Sequence, residues 1–260
     1  MKTKHSVGQR RDAHFGSTEW DIVFNSGNAD SSQHDRCISE LCSRYWYPLY
    51  SFARFNGLSN EDAQDLTQSF FLHLLQKESL QRVDPAKGRF RSFILASFRN
   101  HLSTCRQYAS AAKRGGGRPL LDLDAHQNEG RSLEPVDEVT AETFFDANWA
   151  QLLIERVTLG LREDYRRRGK SDQFEQLQCY LGNESEPDAK SYAEAGRVLG
   201  MSGNGVKTLV FRMRQRFAAL MRQEVARTLF HPRDIDLEIH ALYSALRATE
   251  GRLRSESGTR

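Results

Sequence analysis

No run of about eighteen apolar residues occurs in the chain, so no membrane insertion is expected. The N-terminus, MKTKHSVGQRRDAHFG, is basic with no apolar stretch behind it, which argues against a signal peptide. Prolines number 6 and cysteines 4 in 260 residues. Cys37, Cys42, Cys105 and Cys179 form no CxxC pair, and no zinc-ligand motif is read around them. No metal site is therefore expected, and the thiols suit a reduced, cytoplasmic protein. No Gly-rich phosphate loop and no matched nucleophile and histidine occur, so no catalytic residue and no cofactor is expected. Few runs look like strands, and the reading is an all-α chain with small cores, 38% hydrophobic and with a mean hydropathy of −0.65.

The formal net charge of +3 matters less than its distribution. Pro85–Leu121 carries eight Lys or Arg and no acid; Pro119–Ala150 carries eight acids and one arginine; Lys190–Arg227 carries eight bases and two acids. Two basic modules separated by an acidic connector suit two nucleic-acid contacts joined by a segment that avoids nucleic acid or imitates it.

The clearest motif is Ser191–Phe217, SYAEAGRVLGMSGNGVKTLVFRMRQRF. Tyr192, Ala195, Val198 and Leu199 fall at helical spacing. Gly200 suits a turn with positive φ, Met201 fills the corner and Ser202 can cap the next helix. Ala195 and Gly196 are small enough for two helix backbones to approach. Val206, Leu209, Val210, Met213 and Phe217 then make an inward apolar face. Asn204, Lys207, Thr208, Arg212, Arg214 and Arg216 remain outside it, as in a helix-turn-helix whose second helix enters the major groove. A plain amphipathic hairpin with a solvated basic face is the alternative.

Upstream, Cys37–Arg54 reads as a helix that Pro48 kinks or splits. Ser59 and Asp62 make a capping-box arrangement at the head of NEDAQDLTQSFFLHLLQK. Ala63, Leu66, Phe70 and Leu74 face inward in that helix. Glu61, Asp65 and Gln68 share the opposite side, with Asp62 at its edge. The helix macrodipole accounts for acids at 61 and 62, less well for Asp65 and Gln68. GRFRSFILASFRNHLSTCRQYASAAKR is long, basic and aromatic. Phe90, Phe93, Ile94, Phe98, Leu102 and Cys105 read as core. Arg91, Arg99, Asn100, Arg106, Tyr108, Lys113 and Arg114 are left to solvent or a polyanion, with Tyr108 the residue placed to stack on a base.

In order and spacing, YWYPLYSFARF, EDAQDLTQSFFLHLL, FRSFILASFRNHL and the helix-turn-helix resemble a bacterial RNA polymerase sigma factor of the sigma-70 family, extracytoplasmic-function (ECF) type. The resemblance covers about Cys37–Arg114 and Trp149–Arg227. It implies two small helical domains joined by a flexible acidic linker: an N-terminal extension over 1–34, a region 2-like bundle over 35–114, the linker over 115–147, a region 4-like helix-turn-helix domain over 148–228, and a C-terminal extension over 229–260. It further implies core-polymerase contacts at Glu61, Asp62, Asp65 and Gln68. Minus-ten DNA contacts fall at Arg91, Arg99, Asn100, Arg106, Tyr108, Lys113 and Arg114. Minus-thirty-five contacts fall at Asn204, Lys207, Thr208, Phe211 and Arg212. The partners implied are core RNA polymerase and promoter DNA, with an anti-sigma factor or another regulator as a further one. A stand-alone helix-turn-helix repressor or activator explains only the C-terminal motif.

Departures from the family are visible. Gly196 stands where its first helix usually has alanine, which predicts a helix loosened by about 1 kcal/mol. Gly203 and Gly205 soften the start of the second helix. No region 1.1 and no full region 3 is recognisable. The acidic connector would thread the polymerase toward its RNA exit channel or serve only as a solubilising linker. Beyond it a helix is expected to resume over Trp149–Tyr165. Asp234–Leu246 reads as a short amphipathic helix through Ile235, Leu237, Ile239, Leu242 and Leu246, to pack on the region 4-like part or to bind a regulator, packing being favoured. Residues 1–17 and about the last twelve are expected to be disordered.

Overall fold

The computed structural model describes residues 31–75, 89–114, 139–182, 192–229 and 231–257, and every element among them is helical. In chain order these are α1 (Ser31–Phe55), α2 (Asn60–Leu75), α3 (Phe90–Arg114), α4 (Ala141–Arg167), α5 (Ser171–Leu177), α6 (Tyr192–Leu199), α7 (Gly203–Ala226) and α8 (Ile235–Ser257). Short 3₁₀ turns at Gln178–Leu181 and Pro232–Asp234 follow α5 and precede α8. The expected disorder at 1–17 and the strap over 115–138 lie outside the described residues.

Two hydrophobic cores form. The first gathers Tyr45, Leu49 and Phe52 of α1, Phe70 of α2, Phe90, Ile94 and Phe98 of α3, Phe145, Trp149 and Leu153 of α4, Val225 of α7 and Leu242 of α8. The second gathers Leu161 of α4, Phe174 and Leu177 of α5, Tyr180, Ala195 of α6, and Val206, Val210 and Met213 of α7. α4 and α7 enter both. They are 27 and 24 residues long, hence about 40 and 36 Å at 1.5 Å per residue. The cores therefore do not divide at the acidic segment: the first includes side chains from α4, α7 and α8.

Three expectations change. α1 continues through Pro48 as one helix, so the split does not occur. Proline there forfeits one helical hydrogen bond, while Tyr45, Leu49 and Phe52 on both sides of it stay packed in the core. α4 starts at Ala141, eight residues before Trp149. Thr140 caps it by accepting from the Thr143 N–H at 3.1 Å, and the last part of the acidic stretch turns Phe144 and Phe145 into the interior. The tail helix runs to Ser257 and so takes in most of the last twelve residues.

The face of α8 is also rotated from the expected one. Leu237 is 65% exposed, whereas Glu238, Leu242, Ala245 and Thr249, at four- and three-residue steps, are the buried stripe. α8 packs on α4 and α7 and reaches α3 through Glu238. The backbone N–H of Phe90 donates to Thr228 O at 3.1 Å, tying the first turn of α3 to the segment just after α7.

Ion pairs fix the shared helices. Asp164 near the end of α4 accepts from Arg216 of α7 at 2.9 Å (Nε) and 2.5 Å (Nη2), and from Arg167 on its own helix. Hydrogen bonding from Arg216 holds the Asp164 carboxyl below the usual carboxylate range. A carboxyl depressed in the folded state adds stability that is complete above its unfolded value, near pH 4, and is lost as pH falls through the folded value. Asp164→Asn should therefore lower stability at neutral pH by about 1–3 kcal/mol. It should also flatten the acid limb of the stability curve, read by urea unfolding from pH 7 to pH 3; an unchanged acid limb would count against this pairing.

Candidate nucleic-acid interface

The helix-turn-helix follows from local backbone chemistry. α6 ends at Leu199, and Gly200 adopts φ +66°, a conformation costly for any residue with a Cβ. Met201 N–H donates back to Gly196 O at 2.9 Å. Ser202, extended at φ −70° and ψ 154°, caps α7 by accepting from the Gly205 N–H at 3.2 Å. At Gly196 an added Cβ would stand 2.7 Å from the carbonyl oxygen of Met201. The glycine thus lets the corner close on α6, and the expected loosening is not its main effect. At Gly203 and Gly205 an added Cβ would meet only ordinary contacts, at 3.8 and 3.5 Å.

Asn204, Lys207, Thr208, Phe211 and Arg212 recur at helical spacing on α7 and all are exposed, Phe211 by 60%. Thr208 Oγ1 donates to Asn204 O at 3.1 Å, which orients the hydroxyl. Lys207 Nζ lies 5.6 Å from the centre of the Tyr192 ring, which stacks on Tyr180 at 4.9 Å. Arg214 and Arg216 belong to the scaffold: Arg214 donates to Tyr180 O at 2.9 Å and Arg216 to Asp164. On α6, Val198 is exposed rather than inward, beside exposed Arg197. Arg197 is a cation that the sequence reading did not single out.

On α2, Glu61, Asp62, Asp65 and Gln68 are all exposed. Asp62 completes the cap: its N–H donates to Ser59 Oγ at 3.1 Å, and that hydroxyl donates to its carboxylate at 2.7 Å. Glu61, Asp65 and Gln68 continue as one stripe, which exposed Leu72 extends by one more turn. Leu72 was missed because a leucine beside Phe70, Phe71 and Leu74 reads as core.

On α3 the candidate contacts separate. Tyr108 is 74% exposed and Asn100 is exposed. Arg99 is exposed and pairs with Glu142 of α4 at 2.8 Å. Arg106 is half-buried, with a long 3.4 Å contact to Asn56 O. The side chains of Lys113 and Arg114 lie outside the described residues. Arg91 does not face solvent: it is 3% exposed. Its Nε donates to Glu238 Oε1 at 2.5 Å and its Nη2 to Glu238 Oε2 at 3.2 Å, while Nη1 pairs with Asp146. Arg89 adds a 2.8 Å contact to the same Glu238, which is 0% exposed. Burial opposes the Arg91 charge, and the two carboxylates more than restore it. Burial also pushes the Asp146 carboxyl up against the pull of Arg91. The signal was in the spacing, because Arg91 precedes Leu95, Phe98 and Leu102 by four, seven and eleven residues, on the buried stripe.

Among the described residues no group of three or more His, Cys, Asp or Glu side chains is placed to hold a metal ion. No described helix is long and apolar enough to cross a membrane. Compared with known proteins, the chain matches no family model, no curated protein and no solved structure.

The Gly196 contact gives a sharp expectation. In an open helix interior Gly→Ala adds up to about 1 kcal/mol of stability. Gly196→Ala should instead destabilise the protein by about 1–3 kcal/mol, whereas Gly205→Ala should be neutral or stabilising. Paired thermal unfolding of the two variants measures this; a stabilised Gly196→Ala would show that the corner is not tight.

Proposed function

We propose that the chain is a promoter-specificity subunit of the ECF sigma type. It binds core RNA polymerase in the cytoplasm, recognises promoter DNA and opens it, with no catalysis and no cofactor of its own. The observation that carries this reading is the capped helix-turn-helix whose second helix presents Asn204, Lys207, Thr208, Phe211 and Arg212 together on its exposed side. Their chemistry suits major-groove edges and phosphates. The exposed stripe of Glu61, Asp65 and Gln68 supports a second, protein-facing contact, which a self-sufficient DNA binder would not need. In this reading the region 2-like and region 4-like parts meet separate promoter elements. An anti-sigma factor or another regulator would act on that arrangement.

The burial of Arg91 and the pairing of Arg99 favour one alternative, a helix-turn-helix repressor or activator in which only α6 and α7 meet DNA. Run-off transcription with core polymerase separates the two. The sigma reading expects promoter-dependent transcripts only when this chain is added; tight operator binding without polymerase, and no transcripts, would establish the alternative. Asp65→Arg should weaken polymerase binding by about tenfold or more, roughly 1.4 kcal/mol, with the far-UV circular dichroism unchanged. Lys207→Ala should weaken DNA binding across sequences and lower the salt slope by about one. Unchanged transcription from promoters with a scrambled upstream element would remove the assigned role of α7.

A further inference from the structure

At the start of α3 Arg91 is buried, while Arg89 beside it stays partly exposed. Arg89 and Arg91 meet Glu238 of α8 and Asp146 of α4, two guanidinium groups against two carboxylates. Further along α3, Arg99 meets Glu142 of α4. Acidic groups thus sit against the same arginines whose side chains suit phosphate. Glu238 grips Arg91 through two nitrogens, the fork geometry by which guanidinium also holds phosphate.

The attachment of α8 combines apolar and ionic contacts. Its buried stripe holds one large apolar side chain, Leu242, with Ala245, Thr249 and Glu238; Ile235, Ile239 and Leu246 are only partly buried. Charges add to this apolar contact. Removing one partner of a buried ion pair strands the other, but separating both into water rehydrates both and recovers most of the desolvation cost. A polyanion arriving at Arg89 and Arg91 would replace the carboxylates and leave Glu238 to solvent.

We propose that α8 is a built-in competitor for nucleic acid: Glu238, backed by Asp146, occupies Arg89 and Arg91 at the start of α3, and nucleic acid reaches buried Arg91 only when α8 lifts. This rests on reading α3 as a nucleic-acid helix. The alternative is that the ion cluster only fixes α8 in place.

The test is equilibrium binding of a short, labelled single-stranded deoxyoligonucleotide to the full chain at fixed salt. Glu238→Gln should bind about tenfold more tightly or better than the unmodified chain, and adding Arg91→Gln should abolish the gain. A Glu238→Gln variant with unchanged circular dichroism that binds no tighter overturns the proposal, as does absence of binding by every variant at low salt. Should Glu238→Gln fail to fold, hydrogen exchange on the unmodified chain decides. Exchange across α8 should speed up when the oligonucleotide binds; unchanged or slower exchange there overturns the proposal. Run-off transcription is read in parallel: transcripts together with an indifferent Glu238→Gln remove the competitor and leave the promoter reading standing. No transcripts in any variant removes the promoter reading, and the competitor is then judged on the oligonucleotide alone.

Discussion

Taking the Arg91 guanidinium out of water costs several kcal/mol unless carboxylates meet it with good geometry, and that requirement organises much of the first core. Glu238 must turn inward to reach it, which sets the rotation of α8 and leaves Leu237 outside. Asp146 must face the same point, which fixes α4 in its first two turns and draws the end of the acidic segment into the folded body. The N-terminal turn of α3 is held twice, by these ions and by the backbone bond from Phe90 to Thr228. Three helices distant in sequence are thereby brought to one site.

A second constraint is that α4 and α7 are each too long for one core. Each supplies apolar side chains to the first core at one end and to the second at the other. The contact of Arg216 with Asp164 joins them beside the second core. Glu224 near the end of α7 lies 3.6 Å from Arg156 of α4 and 3.9 Å from Arg44 of α1. Arg227 reaches Glu40 at 3.2 Å. The exposed side of α7 and the first turn of α3 are therefore parts of one framework in this arrangement.

What was legible in the sequence was what neighbouring residues decide. Gly200, Ser202 and the apolar steps of α7 announce the helix-turn-helix because turn, cap and periodicity are set within a few residues. The Ser59–Asp62 cap is legible for the same reason. The spacing of Arg91 marks it as buried, but its partner Glu238 lies 147 positions away. A charge on a buried stripe carries no local sign that another helix will neutralise it. The face of α8 was misjudged through the same pair: hydropathy put Leu237 inside, and an ion pair outweighed it. Gly196 was read for its intrinsic helix propensity, whereas its meaning lies in the Met201 carbonyl it accommodates.

The aromatic residues are unevenly shared between the cores. Trp149 lies buried in the first, against Tyr45 at 6.4 Å, and Trp46 stacks on Phe71 at 5.9 Å beside it. Among the described residues the second core contains no tryptophan; its rings are Phe174, Phe217 and the tyrosines 165, 180 and 192. Intrinsic tryptophan emission from the described part of the chain is thus a probe of the bundle built on α1 to α4. Tyrosine absorbance reports on both cores, since Tyr45 lies in the first and Tyr180 in the second, so a tyrosine change without a change at Trp46 or Trp149 would point to melting in the second.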